Sequence, residues 1–143
     1  YSSHYPAEFE VFTPINKTAE MSKVAPEQLV NSYDNSILYT DYLLHKAIEE
    51  LESLPEEWRR CMIYVSDHGE SLGENGLFMH GVTRSLAPRE QLEIPFIVWH
   101  PGGGDDCLKK EINFAEQYNV FHSIMHFLGA VSEIYDENMN IFK

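Results

Sequence analysis

Hydrophobic residues recur with helical spacing in two stretches of the chain. The first is bounded by Pro26, which suits a first helical turn, and by Pro55, which limits the far end. Within it, apolar residues recur every three, four or seven positions, at Val30, Tyr33, Ile37, Leu44, Ile48 and Leu51. A second stripe runs through Ala115–Leu128 and closes at Gly129, a residue typical of helix C-caps. The first 25 residues show no sustained period and predict irregular structure.

Two short apolar runs predict buried strands, because they are rich in β-prone residues and stop at polar loops. These runs are Cys61–Ser66 and Ile94–Trp99. A long loop with several glycines separates them over residues 67–88, and a glycine-rich turn follows at His100–Cys107. The order helix, strand, loop, strand, helix predicts an α/β fold. Two strands are too few for a stable open sheet, so we expect the rest of the sheet to lie outside this sequence.

Composition narrows the class of protein. The 143 residues fit one domain, and a hydrophobic content of 43% argues against disorder. Ten basic and 23 acidic residues give a formal net charge of −13, which argues against a nucleic-acid partner because phosphate backbones require clustered Lys and Arg. We find no apolar run of transmembrane length and no signal peptide. Because the chain opens on Tyr1 rather than Met, we expect a fragment of a longer protein. Cys61 and Cys107 allow at most one disulfide.

Candidate chemistry is concentrated in the loop after the first predicted strand. Asp67 and His68 are adjacent just past that strand, where α/β proteins place ligand chemistry. A carboxylate oxygen and an imidazole nitrogen are ligands that zinc accepts, and Gly69 removes a side chain that would crowd such a site. His80 follows twelve residues after His68 and could return to the same pocket. The residues alone leave a second interpretation open, in which Asp67 caps a turn and both histidines are solvated.

A longer string around these residues resembles a family signature. Residues 66–81 read S-D-H-G-E-S-L-G-E-N-G-L-F-M-H-G, which is similar to the signature of the phosphoethanolamine transferases. These enzymes are membrane-anchored members of the alkaline phosphatase and sulfatase superfamily, and they include lipid A-modifying enzymes associated with polymyxin resistance. Further stretches resemble the same family, at Tyr5–Pro14, Glu27–Ser36, Ala87–Gln91 and Ile94–Trp99. The resemblance therefore covers nearly the whole chain.

The resemblance implies a partial alkaline-phosphatase-like fold, α/β in class, with residues 1–143 as the C-terminal portion of a catalytic domain. It implies that Asp67 and His68 are ligands of a catalytic Zn²⁺, and that His80 meets the phosphate of the donor or a second metal. Glu70, beside them in the motif, is expected to orient the ligands. The family's threonine nucleophile and its membrane segment have no counterpart in this chain, so we expect the fragment alone to be inactive.

The implied reaction moves phosphoethanolamine from phosphatidylethanolamine onto a zinc-activated threonine, and then onto lipid A or core lipopolysaccharide. The implied location is the inner membrane of a Gram-negative bacterium, with the catalytic domain facing the periplasm. The chain departs from the family pattern in two places. Val82–Ser85 replaces the usual proline and aromatic residue after His-Gly, and Ile15–Val24 holds no cysteine.

Two alternatives to this function remain open. A phosphoglycerol transferase, sulfatase or phosphatase of the same superfamily would also carry the Asp67–His68 pair, although the continuation G-E-S-L-G-E-N-G favours phosphoethanolamine transfer. A non-catalytic metal-binding domain is the alternative from another class. His122 and His126 have the i, i+4 spacing of zincin ligands, but Ser123 stands where that motif needs glutamate, so we interpret them as ordinary helix histidines.

Overall fold

The structure is a computed structural model that describes residues 1–103, 107–109 and 114–143. Helices and strands are both present in these residues, in agreement with the predicted class. The predicted turn at His100–Cys107 lies partly outside the described residues, and its beginning, at residues 101–102, is a turn. No described helix combines enough length with enough apolar character to cross a lipid bilayer.

The described residues divide into two compact units. Unit one comprises Tyr1–Pro55 and His68–Ile94, and unit two comprises Glu56–Asp67 and Pro95–Lys143. The first predicted helix and most of the candidate loop therefore belong to unit one, whereas the two predicted strands and the second helix belong to unit two.

The first predicted helix is present in unit one as α1, Pro26–Ser53. Pro26 occupies the first helical position, and the helix ends two residues before Pro55, as the sequence predicts. The segment before α1 is irregular apart from two short 3₁₀ turns, at Ala7–Phe9 and Met21–Lys23. The prediction of an irregular lead-in is therefore confirmed.

The buried face of α1 differs from the apolar stripe that predicted it. Val30 and Ile37 belong to that stripe and are exposed, whereas the side chain of Asn35 is fully buried. The Asn35 carboxamide is satisfied by the lead-in segment, because its Oδ1 accepts hydrogen bonds from the backbone N–H groups of Val11 and Phe12 at 3.0 and 2.9 Å. Spacing therefore predicts the helix but not the face that packs.

The loop predicted over residues 67–88 contains regular structure that the sequence did not indicate. Strands β2, Ser71–Leu72, and β3, Phe78–Met79, form an antiparallel hairpin. A 3₁₀ turn at Glu74–Gly76 connects them, and a short helix α2, Arg89–Leu92, follows the hairpin. Two-residue strands are too short for an alternating hydrophobic pattern, so sequence periodicity carries no signal for them.

Both predicted strands are present in unit two and pair with each other. Strand β1 spans Met62–Val65 and strand β4 spans Phe96–Trp99. They are antiparallel, with Met62 opposite Trp99 and Val65 opposite Phe96. Strand β1 ends directly before the loop that carries the candidate residues, as predicted.

The second predicted helix is present as α3, Gln117–Leu128, and begins two residues later than predicted. The reason is a reciprocal capping box, in which the Glu116 side chain accepts from the backbone N–H of Asn119 and the Asn119 side chain accepts from the backbone N–H of Glu116. Gly129 closes the helix in the left-handed conformation with φ 64°, as predicted. As in α1, a polar residue is fully buried: Ser123 accepts from the backbone N–H of Ile141 at 3.2 Å.

Candidate metal site

Three potential metal ligands converge in the loop of unit one. His68, Glu70 and His80 each offer one ligand atom, and these atoms all lie within 4.8 Å of one another. The imidazole rings of His68 and His80 are stacked, with centroids 3.6 Å apart and planes inclined by 29°. The loop therefore returns His80 to His68 across twelve positions of sequence.

The β2–β3 hairpin explains why Glu70 and His80 meet. Ser71 is paired with Met79, so Glu70 and His80 are the next residues outward on the two strands. Left-handed backbone then turns the chain on both sides of His80, with φ 65° at Met79 and φ 97° at Gly81. Met79 is a residue that rarely adopts this conformation, and such strain is concentrated at functional sites.

Hydrogen bonds fix the orientation of both imidazoles. Nδ1 of His80 lies 3.1 Å from Oε2 of Glu70, and Nδ1 of His68 lies 2.9 Å from the backbone oxygen of Gly69. Because each oxygen accepts, Nδ1 is the donor in both hydrogen bonds. Metal-binding histidines typically have this arrangement, with one nitrogen held by a carboxylate or carbonyl and the other facing the ion.

One oxygen of the Glu70 carboxylate, Oε1, is buried without a hydrogen-bond donor among the described residues. The Tyr1 side chain lies nearby, and burial together with the Glu70 carboxylate raises the pKa of Tyr1. A buried carboxylate oxygen is costly unless a donor or a cation satisfies it, and the Tyr1 hydroxyl and a bound cation are the two groups that would do so here.

The donor set fits a zinc-type cation. Two imidazole nitrogens and a carboxylate oxygen are the ligand atoms that zinc takes in catalytic sites, where three protein ligands leave a position open for water or substrate. His68, Glu70 and His80 are therefore the described residues that could hold such a cation.

Asp67, the other predicted zinc ligand, is an exposed residue at the boundary of unit two. Its backbone oxygen and that of Ser66 accept hydrogen bonds from Nε2 of Gln117, at 2.7 and 2.8 Å. The group of three converging ligand atoms does not include Asp67. Its assignment as a metal ligand therefore stays a prediction.

Gly69 has a packing role that differs from the one expected from the sequence. A Cβ atom at this position would overlap the backbone oxygen of Glu90. The close approach is held by a hydrogen bond from the Gly69 backbone N–H to the backbone oxygen of Gln91, at 3.1 Å. Glycine thus allows the backbone of the loop to lie directly against the backbone of α2.

Sequence reasoning missed Gln91 as a site residue. Its side chain is 6% exposed, and its Nε2 donates to Oγ of the fully buried Ser71 at 2.8 Å. The only sequence signal was the family-like stretch Ala87–Gln91, because a polar residue in a four-residue helix produces no hydrophobic period.

The remaining histidines that the sequence singled out have structural partners in unit two. Nδ1 of His122 accepts from the backbone N–H of Asp136 at 3.0 Å, and Nε2 of His126 donates to the backbone oxygen of Lys143 at 3.1 Å. These contacts are consistent with ordinary helix histidines.

The two cysteines line one cavity of about 350 Å³ in unit two, together with Phe127 and Phe142. Their sulfur atoms are not bonded to each other. Burial, and to a smaller extent the neighbouring Cys107, raises the pKa of the Cys61 thiol. The thiolate fraction of Cys61 at neutral pH is therefore smaller than that of an ordinary cysteine.

Comparison with known proteins places these observations in a family context. The sequence profile of the family described as Sulfatase matches residues 1–130. The chain is 37% identical over 144 residues to phosphoethanolamine transferase EptA of Salmonella typhimurium, covering 94% of the chain and 26% of that protein. It is 35% identical over 146 residues to Kdo(2)-lipid A phosphoethanolamine 7''-transferase of Escherichia coli K12, covering 92% of the chain and 24% of that protein.

A solved structure shows the same similarity in three dimensions. The C-terminal periplasmic domain of phosphoethanolamine transferase EptC from Campylobacter jejuni matches 98% of the chain with a TM-score of 0.80 and 35% identity. The match covers 47% of that domain, and the chain spans about a quarter of the length of the two curated relatives. The predicted family resemblance and the predicted partial fold are confirmed by these similarities.

Proposed function

Because the chain belongs to the sulfatase family, we propose that it forms the metal-binding part of a phosphoethanolamine transferase. The observation that carries the proposal is the convergence of His68, Glu70 and His80 within the family-like loop. By name, both curated relatives compared above transfer phosphoethanolamine. In this proposal residues 1–143 are the C-terminal portion of the catalytic domain, and the threonine nucleophile lies in another part of a longer protein.

The residues of the loop take distinct roles in the proposal. His68, with its Nδ1 held by the Gly69 backbone, presents Nε2 to a Zn²⁺ that Asp67, its neighbour in sequence, also binds. His80, with its Nδ1 held by Glu70, presents Nε2 to the phosphoryl group of the donor or to a second metal ion. Glu70 thus orients His80 and contributes negative charge beside the bound cation.

When bound, zinc would lower the pKa of the nucleophile and neutralise charge on the phosphoryl oxygens. The contribution of the chain itself is to hold its donors in place before the reaction, because two of the imidazole nitrogens are already committed to backbone and carboxylate oxygens. Side chains fixed in this way need no reorganisation as charge develops on the phosphoryl group.

The proposed substrates are inferred from the family resemblance and from the names of the curated relatives. We propose phosphatidylethanolamine as donor and lipid A or core lipopolysaccharide as acceptor. In the first step the bond from phosphorus to the diacylglycerol oxygen breaks and a bond to the threonine oxygen forms, while the proton of the threonine ends on diacylglycerol. In the second step the acceptor oxygen replaces threonine and returns a proton to it. In this proposal the enzyme acts at the periplasmic face of the inner membrane.

The test measures metal content and transfer together on the complete protein. Purified protein is stripped with a chelator and reloaded with Zn²⁺, and release of diacylglycerol from a fluorescent phosphatidylethanolamine is followed with and without lipid A. We expect transfer to be lost with the metal and restored by zinc. We also expect His68→Ala to bind less zinc and to have no measurable transfer.

His45→Ala is the matched control, because His45 lies on α1 of the same unit and contacts Glu49 at 3.2 Å rather than the loop. It should keep zinc content and rate. Zinc-loaded protein that releases no diacylglycerol from the lipid donor would contradict the proposed reaction. Residues 1–143 expressed alone should bind zinc weakly and transfer nothing.

Hydrolysis is the second candidate function, because the matched family profile is described by the name Sulfatase. A sulfatase or phosphatase would use the same loop but pass its intermediate to water. Aryl sulfate and aryl phosphate substrates, tested beside the lipid donor, separate the two activities. Turnover of either aryl ester above that of the lipid would favour hydrolysis.

A further inference from the structure

We infer that Gln91 is a positioning residue for the metal site, which it holds by fastening the two ends of the loop to one point. The inference rests on the proposed function of the loop, in which His68 binds zinc and Glu70 and His80 lie beside it. Gln91 lies in α2, outside the family-like loop, and carries no ligand atom for the cluster.

Three hydrogen bonds connect Gln91 to the loop. Its backbone oxygen accepts from the N–H of Gly69 at 3.1 Å, its Nε2 donates to Oγ of Ser71 at 2.8 Å, and its Oε1 accepts from the N–H of Val82 at 3.4 Å. Both side-chain amide atoms are therefore used, and the residue is 6% exposed. A buried carboxamide with both ends satisfied has a fixed orientation, because rotating it would break two hydrogen bonds.

The attachment points bracket the three converging side chains. Gly69 follows His68 directly, Ser71 follows Glu70 directly, and Val82 lies two residues after His80. None of the three side chains is thus more than two positions from a backbone or side-chain atom that Gln91 holds. Because the side chain of Gln91 holds Ser71 and Val82 while its backbone holds Gly69, this one residue sets the separation at which the His68 and His80 rings face each other.

The packing around this connection leaves little freedom. Ser71 is fully buried, and the backbone of Gly69 lies so close to Glu90 that no Cβ fits. Residues that hold metal ligands in this way, without touching the ion, typically contribute 10–100-fold to metal affinity or activity. We expect Gln91 to contribute to metal affinity by a factor of this size. It should do so through the geometry of the donors rather than through the overall stability of unit one.

The experiment compares metal affinity in four forms of the complete protein. Gln91→Met preserves side-chain length and removes both amide hydrogen bonds, whereas Gln91→Glu keeps an acceptor for Val82 and can accept from the Ser71 hydroxyl. Zn²⁺ affinity is measured by competition with a chromophoric chelator at a temperature well below unfolding, and the visible spectrum of the Co²⁺-substituted protein reports the coordination geometry. Asn35→Leu, which breaks the buried polar network between α1 and the segment before it, controls for lost stability.

We expect Gln91→Met to bind Zn²⁺ about 10–100-fold more weakly with an altered Co²⁺ spectrum, and Gln91→Glu to recover most of the affinity. Asn35→Leu should lower the thermal midpoint and leave both readouts unchanged. If Gln91→Met does not fold, Ser71→Ala replaces it, and a loss of affinity with an altered Co²⁺ spectrum is again expected. Wild-type affinity in the folded Gln91→Met or Ser71→Ala protein, or an equal loss in Asn35→Leu, would overturn the inference. Wild-type protein that binds neither ion would instead contradict the proposed function.

Discussion

Nδ1 of His80 lies 3.1 Å from Oε2 of Glu70, across the open end of the β2–β3 hairpin. The His80 imidazole is partly exposed to solvent. The Glu70 side chain that it contacts is only 12% exposed. A buried carboxylate that accepts from one ring nitrogen fixes the tautomer and increases the basicity of the other. The pair therefore leaves Nε2 as the nitrogen that, in the proposed function, meets the phosphoryl group.

Replacing His80 should separate catalysis from metal binding. In the complete enzyme, His80→Ala should keep the catalytic zinc and lose about 10²–10³-fold in turnover, which corresponds to about 2.7–4 kcal/mol for one group that stabilises charge in the transition state. Asp67→Ala should instead lose the zinc, because in the proposed assignment Asp67 is a primary ligand. Zinc content and initial rate are measured on both proteins.

Two outcomes would contradict this assignment of His80. Loss of zinc as complete as in Asp67→Ala would identify His80 as a primary ligand of the catalytic metal. Retention of both zinc and full rate would favour the interpretation in which His80 is solvated and has no catalytic role.

Gly69→Ala should damage the site by steric overlap. The added methyl group would meet the backbone oxygen of Glu90, which cannot move as a side-chain end could. We expect a destabilisation of about 1–3 kcal/mol, typical of overpacking, and a fall in zinc affinity because the loop must shift away from α2. The thermal midpoint and a chelator competition assay measure the two effects.

Gly102→Ala is the control for this substitution. Gly102 has φ 100°, and no described atom lies within 4 Å of the place that an added methyl group would take, so the cost is conformational rather than steric. The substitution should lower the thermal midpoint without changing zinc affinity, because Gly102 lies in unit two. A Gly69→Ala protein with wild-type zinc affinity would show that the loop tolerates the shift.

The sequence predicted the elements of the fold better than their packing. Hydrophobic spacing and the flanking prolines located α1, and β-prone runs located β1 and β4. What spacing could not predict is that polar side chains occupy the buried faces of α1 and α3. Asn35 and Ser123 are buried because they satisfy backbone groups of distant segments, and no local pattern records a partner 18 to 24 residues away.

In the candidate site, too, the sequence predicted the residues better than the contacts that position them. Asp67, His68 and His80 were identified from residue type and adjacency, and the resemblance added Glu70. The hydrogen bonds that hold the loop to Gln91 depend on the β2–β3 hairpin and on the close approach at Gly69, and both are tertiary features. Sequence reasoning could name the chemistry of the site, but the parts that position it became visible only in three dimensions.

Asn35→Ala should release the lead-in segment from α1. The substitution removes the acceptor that the buried Asn35 side chain offers to the backbone N–H groups of Val11 and Phe12, at a cost of about 2 kcal/mol for two lost hydrogen bonds. Amide hydrogen exchange at these two residues should therefore accelerate about 30-fold, since 1.4 kcal/mol corresponds to a factor of ten. Val30→Ala, at a half-exposed position of the same helix, should change exchange there by less than about threefold. Equal exchange in Asn35→Ala and wild type would show that the network contributes nothing.

Glu137 should make unit two sensitive to acid. A hydrogen bond from Lys109, followed by those from Tyr135 and Asn140, lowers the pKa of Glu137 to about 2. Oε1 lies 2.8 Å from the Lys109 ammonium, and Oε2 faces Nδ1 of His126 at 3.9 Å. Because the folded-state pKa lies below the ordinary value of 4.5, the stabilisation is present above pH 4.5 and is lost as the pH falls toward 2.

Glu137→Gln should therefore lower the thermal midpoint at pH 7. The effect should be smaller at pH 3, because the stabilisation that the wild-type carboxylate contributes has already fallen at that pH. The difference between wild type and variant is measured at several pH values between 7 and 2, because the difference isolates this one group from all the other carboxylates. Glu133→Gln, an exposed acid that follows α3, is the matched control and should show a small difference at every pH. A wild-type to Glu137→Gln difference that is independent of pH would contradict the linkage, because a group with a lowered pKa must lose its contribution on protonation.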